Sequence, residues 1–189
     1  MKYLVTGTGR CGTGTLSIFL THAGYPCGHE SIFRWGGRPS HIEGVAESSW
    51  MAAPYLDDER LEDTTIIHLV RDPIKVVSSI VHIGLFTSEN VAGYAHFIYL
   101  NLPELKEYSV LDKAVYFYTK WNEMIEPRAD VFFRLEDGPE TLIEKLELEP
   151  EEIHWRRWNQ STVDGVVDLN NVPDRLLAPF FAMRTRYGY

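Results

Sequence analysis

The sequence predicts an α/β fold of three layers, with a mostly parallel central sheet flanked by helices. The segments 2–6, 64–70 and 130–136 are apolar and rich in β-branched or aromatic residues, as buried strands are. After each of them comes a turn and then a segment with apolar residues at helical spacing. Strands that alternate with helices in this way form a parallel sheet covered on both faces. The chain of 189 residues fits one domain, spanning 1–189.

Start signals locate the first two helices. The first helix is predicted over 16–24, directly after the glycine-rich segment 7–15. Asp72 has the residue type of an N-cap, and Pro73 suits the first helical position. The second helix is therefore predicted from Pro73 to residue 83.

The second half of the chain has similar signals. Ser109 and Asp112 have capping-box spacing, and Pro127 ends the helix that they begin. Residues 138–139, Gly and Pro, open a further helix, and a shorter one is predicted after Pro150. These helices complete the alternating pattern.

Three segments give no clear strand or helix pattern. Gly and Pro interrupt residues 24–29, so this segment is a poor candidate for a strand. The segments 31–63 and 84–108 lack periodicity and are rich in Gly, Ser, Pro and aromatic residues. We expect the latter two segments to form the walls of a site.

Composition excludes several classes of protein. The formal net charge of −9 disfavours a non-specific grip on nucleic acid or anionic lipid, so we expect no nucleic-acid partner. No stretch approaches the roughly 18 apolar residues of a membrane span. The two cysteines, Cys11 and Cys27, are too few for a disulfide framework and lack the spacing of a zinc site. Without a visible secretory leader, a cytoplasmic location is expected, and no signal sets the oligomeric state.

A glycine-rich segment, TGTGRCGTGTL, lies between the first predicted strand and the first predicted helix. Such a turn presents backbone N–H groups at the positive end of a helix, where a phosphate or a sulfate ester binds. Arg10 adds a fixed positive charge, and Thr13 and Thr15 add hydroxyl donors. The glycines that allow a close approach are Gly7, Gly9, Gly12 and Gly14. The segment predicts an anion-binding loop rather than a plain βα turn.

The loop fits some nucleotide-binding patterns better than others. It lacks the Walker pattern GxxxxGK followed by Ser or Thr, because Thr13 occupies the lysine position. Gly7, Gly9 and Gly12 do satisfy the GxGxxG pattern of dinucleotide-binding folds, and Glu30 lies about twenty residues further on, where a ribose-binding acid is expected. Against that fold, the interrupted segment 24–29 is a poor second strand, and the chain leaves little room for a substrate domain.

A second anion site is predicted in the segment LVRDPIKVVSSIVH. Helical spacing places Asp72, Lys75, Ser79 and His82 on one stripe. An arginine at the end of a strand, Arg71, and a hydroxyl two turns into the next helix, Ser79, can clamp a phosphate at some distance from the loop. The alternative is an ordinary ion pair between Arg71 and its neighbour Asp72.

Together these segments resemble the sulfotransferase family that uses 3′-phosphoadenosine 5′-phosphosulfate (PAPS). In that family a Gly/Ser/Thr loop with a Lys or Arg holds the 5′-phosphosulfate, and an Arg with a Ser eight residues later holds the 3′-phosphate. The loop TGTGRCGTGTL is similar to the first element, with Arg10 at the basic position and Cys11 where serine is common. Arg71 and Ser79 are similar to the second. The later segments YFYTKWNEMI and VFFRLEDGPETLIEKLEL look like the helix and the strand with its helix that follow in the family.

The resemblance implies a P-loop NTPase-like sulfotransferase architecture, PAPS as co-substrate and no required metal. The acceptor would be a hydroxyl or amine of a small molecule or carbohydrate. The implied PAPS-binding residues are Arg10, Cys11, Gly12, Thr13, Gly14, Thr15, Arg71 and Ser79. A C-terminal RKG-type loop is missing, and Arg184 and Arg186 are the candidates to replace it.

A general base must take the proton of the acceptor. Glu30 is the first candidate, because a glutamate or histidine in a comparable region has this role in several branches of the family. Its neighbour His29 is a candidate for the base itself or for orienting Glu30, and the alternative is a turn histidine without a catalytic role. His82 is a further candidate. The implied catalytic residues are therefore Glu30, Arg10 and His29. Two other functions stay open: a Rossmann-type protein that binds NAD(P) or a nucleotide sugar, and a P-loop-like module that binds an anion without catalysis.

Overall fold

A sheet of five parallel strands lies at the centre of the computed structural model, which describes residues 1–34, 37–89, 92–149, 155 and 166–189. The strands are β1 (Tyr3–Thr6), β2 (Cys27–His29), β3 (Ala46–Ser48), β4 (Thr65–Val70) and β5 (Val131–Arg134). Their order across the sheet is β2-β3-β1-β4-β5. Because every strand pair is parallel, the carboxyl ends of the strands share one edge of the sheet.

Six α-helices occur in the described residues. They are α1 (Thr13–His22), α2 (Pro73–His82), α3 (Ala92–Asn101), α4 (Val110–Ile125), α5 (Gly138–Leu146) and α6 (Asp174–Arg186). Short 3₁₀ segments lie at Trp50–Tyr55, Glu59–Leu61, Pro103–Glu107, Glu126–Arg128 and Leu135–Asp137. None of the helices described combines the length and apolar character that crossing a bilayer requires.

Side chains of β1 and β4 enter two apolar cores on opposite faces of the sheet. On one face, Leu4 and Ile66 pack with residues of α2, α4 and α6. On the other face, Val5 and Ile67 pack with residues of α1 and α5. This double burial explains the nearly continuous apolar sequence of both strands. The predicted α/β fold, a parallel sheet between helical layers, is confirmed.

The chain leaves the neighbouring strands β1 and β4 toward opposite faces of the sheet. After β1 it enters α1, which packs in one core, and after β4 it enters α2, which packs in the other. In open α/β sheets such a switch leaves a crevice beyond the carboxyl ends of the two strands, where ligands bind. The two predicted anion-binding segments therefore lie on the two sides of one crevice.

The predicted start signals are confirmed where they are local. The Asp72 side chain accepts a hydrogen bond from the Ile74 N–H at 3.0 Å, and Ser109 accepts one from the Asp112 N–H at 3.3 Å. The first helix begins at Thr13, three residues before the predicted 16–24, because the positive φ of Gly12 (109°) ends the loop there.

Two strands and two helices, α3 and α6, occur where none was predicted. The poor strand candidate 24–29 contains β2, an edge strand that pairs on one side with β3. Pro26 lies just before this strand, where its missing N–H removes no ladder bond, and its carbonyl accepts a bond from the Ala46 N–H at 3.2 Å. β3 and α3 lie in the two segments without periodicity. The helix predicted after Pro150 lies outside the described residues.

Candidate functional site

The candidate site lies at the carboxyl edge of the sheet. It consists of the loop 7–12 between β1 and α1, the turn after β2, Arg71 after β4, and Ser79 on α2. Tertiary structure brings these segments together from distant parts of the chain.

Two residues of the loop 7–12 have a left-handed backbone conformation, which residues other than glycine rarely adopt. Arg10 has a φ of 75° and Gly12 a φ of 109°. A Cβ at Gly7 would lie 2.0 Å from the carbonyl oxygen of Leu69 on β4, so this position requires glycine for packing. At Gly9 the nearest atoms to a Cβ belong to the Trp50 ring, at 3.6 Å, which is ordinary contact. Within the described loop, close packing and positive φ therefore explain Gly7 and Gly12.

Arg10, Arg71 and Ser79 contact one another. The Arg10 Nε–H donates to the Ser79 Oγ at 3.0 Å, and an Arg71 Nη1–H donates to the backbone oxygen of Arg10 at 3.3 Å. Asp72, the alternative partner of Arg71, instead caps α2. In the part of the chain that the structure describes, no ion pair joins Arg71 to Asp72. The two predicted anion-binding segments are thus connected.

The electrostatics of these arginines favour a negative ligand. Burial lowers the pKa of Arg10, and the charge of Arg71 lowers it further, against smaller opposing effects of Cys11 and Glu30. Among the described residues, neither guanidinium forms an ion pair with a carboxylate. Two like charges in a half-buried place repel each other, and an anion between them relieves that repulsion.

Glu30 and His29 lie next to the loop. Glu30 directly follows β2 and has a φ of 53°, again in the left-handed region. His29 Nε2 lies 3.2 Å from the Thr13 hydroxyl oxygen and 3.8 Å from Glu30 Oε1. His29 therefore connects the candidate base with the first residue of α1. The third candidate, His82, is exposed at the C-terminal end of α2.

Burial raises the pKa of Glu30, and it is opposed first by a hydrogen bond from the Trp50 side chain and then by the charge of Arg10. Burial lowers the pKa of His29. Both effects favour the neutral forms of these side chains. A glutamate whose pKa is raised toward neutrality is a stronger general base once it has ionised.

The other predicted loop residues occupy different environments. The Cys11 thiol is buried and donates to the Thr8 carbonyl, and burial raises its pKa to about 12. Any contribution of Cys11 to ligand binding is therefore through its backbone. Gly14 is half-buried and Thr15 is buried, both in the first turn of α1.

Sequence reasoning missed Ser48 and Tyr94 near the site, and it offered Trp50 only as one of several aromatic residues that could stack on a sugar or phenol. Ser48 on β3 donates from its hydroxyl to the Thr13 carbonyl at 2.7 Å, which ties α1 to the sheet. The Trp50 ring lies 3.6 Å from the position of a Cβ on Gly9, and its side chain lowers the pKa of Glu30 against the larger effect of burial. Burial and, after it, the charge of Glu30 raise the pKa of Tyr94 on α3. These residues lie in the segments predicted to form walls of a site, but no spacing pattern identifies them individually.

A buried polar network supports the loop from below. The Asn122 amide on α4 donates to the Thr8 hydroxyl oxygen and to the Tyr118 carbonyl, both at 2.8 Å. Its oxygen lies 2.8 Å from His68 Nε2, so the imidazole carries its proton on Nε2. Each polar group of the Asn122 side chain has a partner, which makes the network a rigid support for Thr8.

This network predicts a pH-dependent stability. Burial lowers the pKa of His68, against the Asn122 hydrogen bond and the Glu126 charge, which raise it, while the Arg186 charge lowers it. The native imidazole therefore stays neutral below about pH 6.5, where the unfolded one is protonated. The stabilising contribution of the neutral His68 is fully present above that pH. As the pH falls from about 6.5 to the native pKa of His68, the free energy of unfolding decreases by at most about 1.4 kcal/mol per pH unit.

The test compares the pH dependence of the unfolding free energy in urea for wild type and two variants. His68→Gln keeps a donor toward Asn122 but does not titrate, so we expect a smaller loss of stability between pH 7 and pH 5. The matched control His82→Gln removes an exposed imidazole and should follow wild type. An unchanged slope in His68→Gln would contradict the prediction.

The C-terminal arginines have distinct surroundings. Arg186 pairs with Glu126 at 2.8 Å. The Arg184 Nε is buried and has no hydrogen-bond partner within the described residues. Neither of the hydrogen bonds that join the loop to Arg71 and Ser79 involves these two arginines.

Within the described residues, no group of three or more His, Cys, Asp or Glu side chains is arranged to hold a metal ion. No protein-family model matches the chain, and no curated protein sequence matches it. Its function is therefore inferred from the geometry of the site.

Proposed function

We propose that this protein is a cytoplasmic, PAPS-dependent sulfotransferase with a P-loop NTPase-like architecture. It would transfer a sulfuryl group to a hydroxyl or amine of a small molecule or carbohydrate. The observation that carries the proposal is the contact between the two anion-binding segments: Arg10 bonds to Ser79, and Arg71 bonds to the Arg10 carbonyl. Both cysteines are free thiols, in keeping with a reducing compartment.

The donor set of the site suits the anionic groups of PAPS. Guanidinium and hydroxyl groups and the N–H groups at the start of α1 all donate to phosphate or sulfate oxygens. Arg10, Thr13 and the loop backbone would hold the phosphosulfate, while Arg71 and Ser79 would hold the 3′-phosphate. When bound, PAPS supplies the sulfuryl group. The arginines supply the positive charge, so the proposal needs no metal.

The chain's own residues then have separate tasks. Arg10 stabilises negative charge that develops on the transferring group and on the leaving phosphate. Glu30 accepts the proton of the attacking hydroxyl or amine. His29 lies between Glu30 and Thr13 and orients the Glu30 carboxylate. The rings of Trp50 and Tyr94 border Glu30 on the acceptor side.

The strand order disfavours the dinucleotide-binding alternative. In the classic dinucleotide-binding sheet the second strand lies beside the first, so that its terminal acid reaches the ribose. Here β3 lies between β1 and β2, and Glu30 is two strands away from β1. The GxGxxG pattern of the loop therefore does not indicate dinucleotide binding here, because the strand order is not that of a dinucleotide-binding sheet.

The proposal is tested by ligand-dependent thermal stability, with Arg71→Ala as the diagnostic variant. Adenosine 3′,5′-bisphosphate at 100 Kd should stabilise wild type by about 2.7 kcal/mol. Arg71→Ala should weaken binding of this nucleotide by about 10- to 100-fold, the value of a charge-assisted hydrogen bond. It should leave the affinity for adenosine 5′-monophosphate nearly unchanged, because that nucleotide lacks the 3′-phosphate.

Each other outcome has a definite meaning. An equal loss for both nucleotides removes Arg71 from the 3′-phosphate site. Stabilisation by NAD but not by the bisphosphate indicates a dinucleotide-binding protein. Nucleotide binding without sulfuryl transfer to any phenol, sugar or amine, with no effect of Glu30→Gln, indicates a non-catalytic module.

A further inference from the structure

Glu47 is a buried carboxylate in the middle of β3, the strand beside the candidate base. It is fully buried, with 0% exposure. Its Oε1 accepts hydrogen bonds from the Ser31 N–H at 2.6 Å and the Ile32 N–H at 3.1 Å. In the part of the chain that the structure describes, its Oε2 has no hydrogen-bond partner and its carboxylate no ion pair. Burying a carboxylate costs free energy unless it is paired and hydrogen-bonded, and here only one of its two oxygens has partners among the described residues.

The two N–H groups that Glu47 holds belong to the turn that begins with Glu30. Glu30 has a φ of 53°, a conformation that persists in a non-glycine residue only when its surroundings hold it. On one side, the Glu30 N–H donates to the Ser48 carbonyl at 3.2 Å. On the other side, Glu47 holds the next two residues. Adjacent residues of β3 therefore fix both flanks of Glu30.

The carboxylate itself has little freedom to move. A Cβ at Gly28 would lie 2.1 Å from Glu47 Oε2 and 2.9 Å from the Ser31 hydroxyl oxygen. Glu47 thus fills the space that the glycine leaves on β2. The length of the side chain matters, because a shorter acid on β3 would not reach the two N–H groups.

We propose that Glu47 is a positioning residue that holds Glu30 in its left-handed conformation and so aims the Glu30 carboxylate at the acceptor. This inference rests on the proposed function, in which Glu30 is the general base. Glu47 acts through the backbone of Ser31 and Ile32 and does not touch the reacting atoms.

The first test is a double-mutant cycle on kcat, measured as sulfuryl transfer from PAPS to the best acceptor in a panel of phenols, sugars and amines. Glu47→Ala removes the hydrogen bonds and should lower kcat by about 10²-fold, the cost of misplacing a catalytic group. The double variant Glu47→Ala with Glu30→Gln should be no slower than Glu30→Gln alone, because the base that Glu47 positions is already absent.

A conservative variant separates positioning from general damage. Glu47→Gln keeps the length and one acceptor oxygen for Ser31 and Ile32, so it should retain kcat within a few-fold. Glu47→Asp keeps the charge but is shorter, and it should lose more activity than Glu47→Gln. If Glu47→Ala does not fold, the comparison of Gln with Asp carries the same test.

Asp58 provides the matched control. It is also buried, and it holds the Arg60 N–H at 3.1 Å in a turn away from Glu30. Asp58→Ala alone should keep kcat near the wild-type value, and combined with Glu30→Gln it should keep kcat near that of Glu30→Gln alone. Three results would overturn the inference: multiplied losses of kcat in Glu47→Ala with Glu30→Gln, a loss in Asp58→Ala as large as in Glu47→Ala, or a Glu47→Gln variant as slow as Glu47→Ala.

A second readout does not depend on activity. Hydrogen exchange of the Ser31 and Ile32 amides should be about 10-fold or more faster in Glu47→Ala than in wild type and unchanged in Glu47→Gln. Unchanged exchange in the folded Glu47→Ala protein overturns the positioning role. Absence of transfer and of adenosine bisphosphate binding in wild type instead overturns the proposed function, so the two failures are distinguishable.

Discussion

Glu30→Gln is expected to lower kcat for sulfuryl transfer by about 10²-fold or more while adenosine 3′,5′-bisphosphate still binds with wild-type affinity. The amide keeps the shape of the side chain but does not accept the acceptor's proton. Burial raises the pKa of Glu30 above the ordinary glutamate value of about 4.3. On acidification, the wild-type protein should therefore lose activity at a higher pH than an ordinary glutamate base would. The base must be ionised, so activity is lost as the pH falls through this pKa.

The matched control is Glu43→Gln, which neutralises an exposed glutamate and should change neither kcat nor its pH dependence. His29→Gln distinguishes the two neighbours. If Glu30→Gln has near-normal kcat and His29→Gln does not, the base is His29. If both variants are active, the role moves to His82 or to no side chain of this site.

Arg10→Ala is expected to lower kcat by about 10²- to 10³-fold, as removal of a group that stabilises transition-state charge does. The reason is that Arg10 lies in the loop after β1 and its guanidinium reaches across the crevice to Ser79. Alanine also has a Cβ, so the strain of the 75° φ is the same in both proteins and the loss reports the side chain. Single-turnover transfer from PAPS measures it.

Two further variants control this result. Arg175→Ala removes an arginine of α6 outside the crevice and should have wild-type kcat. Arg10→Gly also loses the guanidinium but relieves the backbone strain, so it should be as slow as Arg10→Ala. A Gly variant with wild-type kcat would mean that the backbone, rather than the charge, matters at this position.

Features with local signals could be predicted from the sequence. Asp72 and Ser109 cap helices through residues two or three positions away, so their spacing alone identifies them. The loop containing Arg10 follows a strand whose apolar run is unmistakable. The spacing of Arg71 and Ser79 predicted a second anion site at some distance from that loop. The contact of Ser79 with Arg10 is known only from the structure.

Features that depend on distant residues could not be predicted. β3 has three residues, too few to show an alternating pattern, and all three are buried. Glu47 has the residue type of a surface position, yet its burial depends on N–H groups of a turn formed elsewhere. Nothing in the sequence around Asn122 distinguishes it from other polar residues of a helix. Only the packing of α4 against the sheet brings its side chain to Thr8.

The position of β1 in the middle of the sheet also affects how the protein folds. Its register pairs Tyr3 with Ala46 on one side and with Thr65 on the other, so both neighbours come from later in the chain. Parallel pairings across such sequence separations require loop closure before they add stability, and they form slowly. The crevice between Arg10 and Arg71 therefore needs residues far apart in the sequence, and a nascent chain that ends before β4 lacks Arg71 and Ser79.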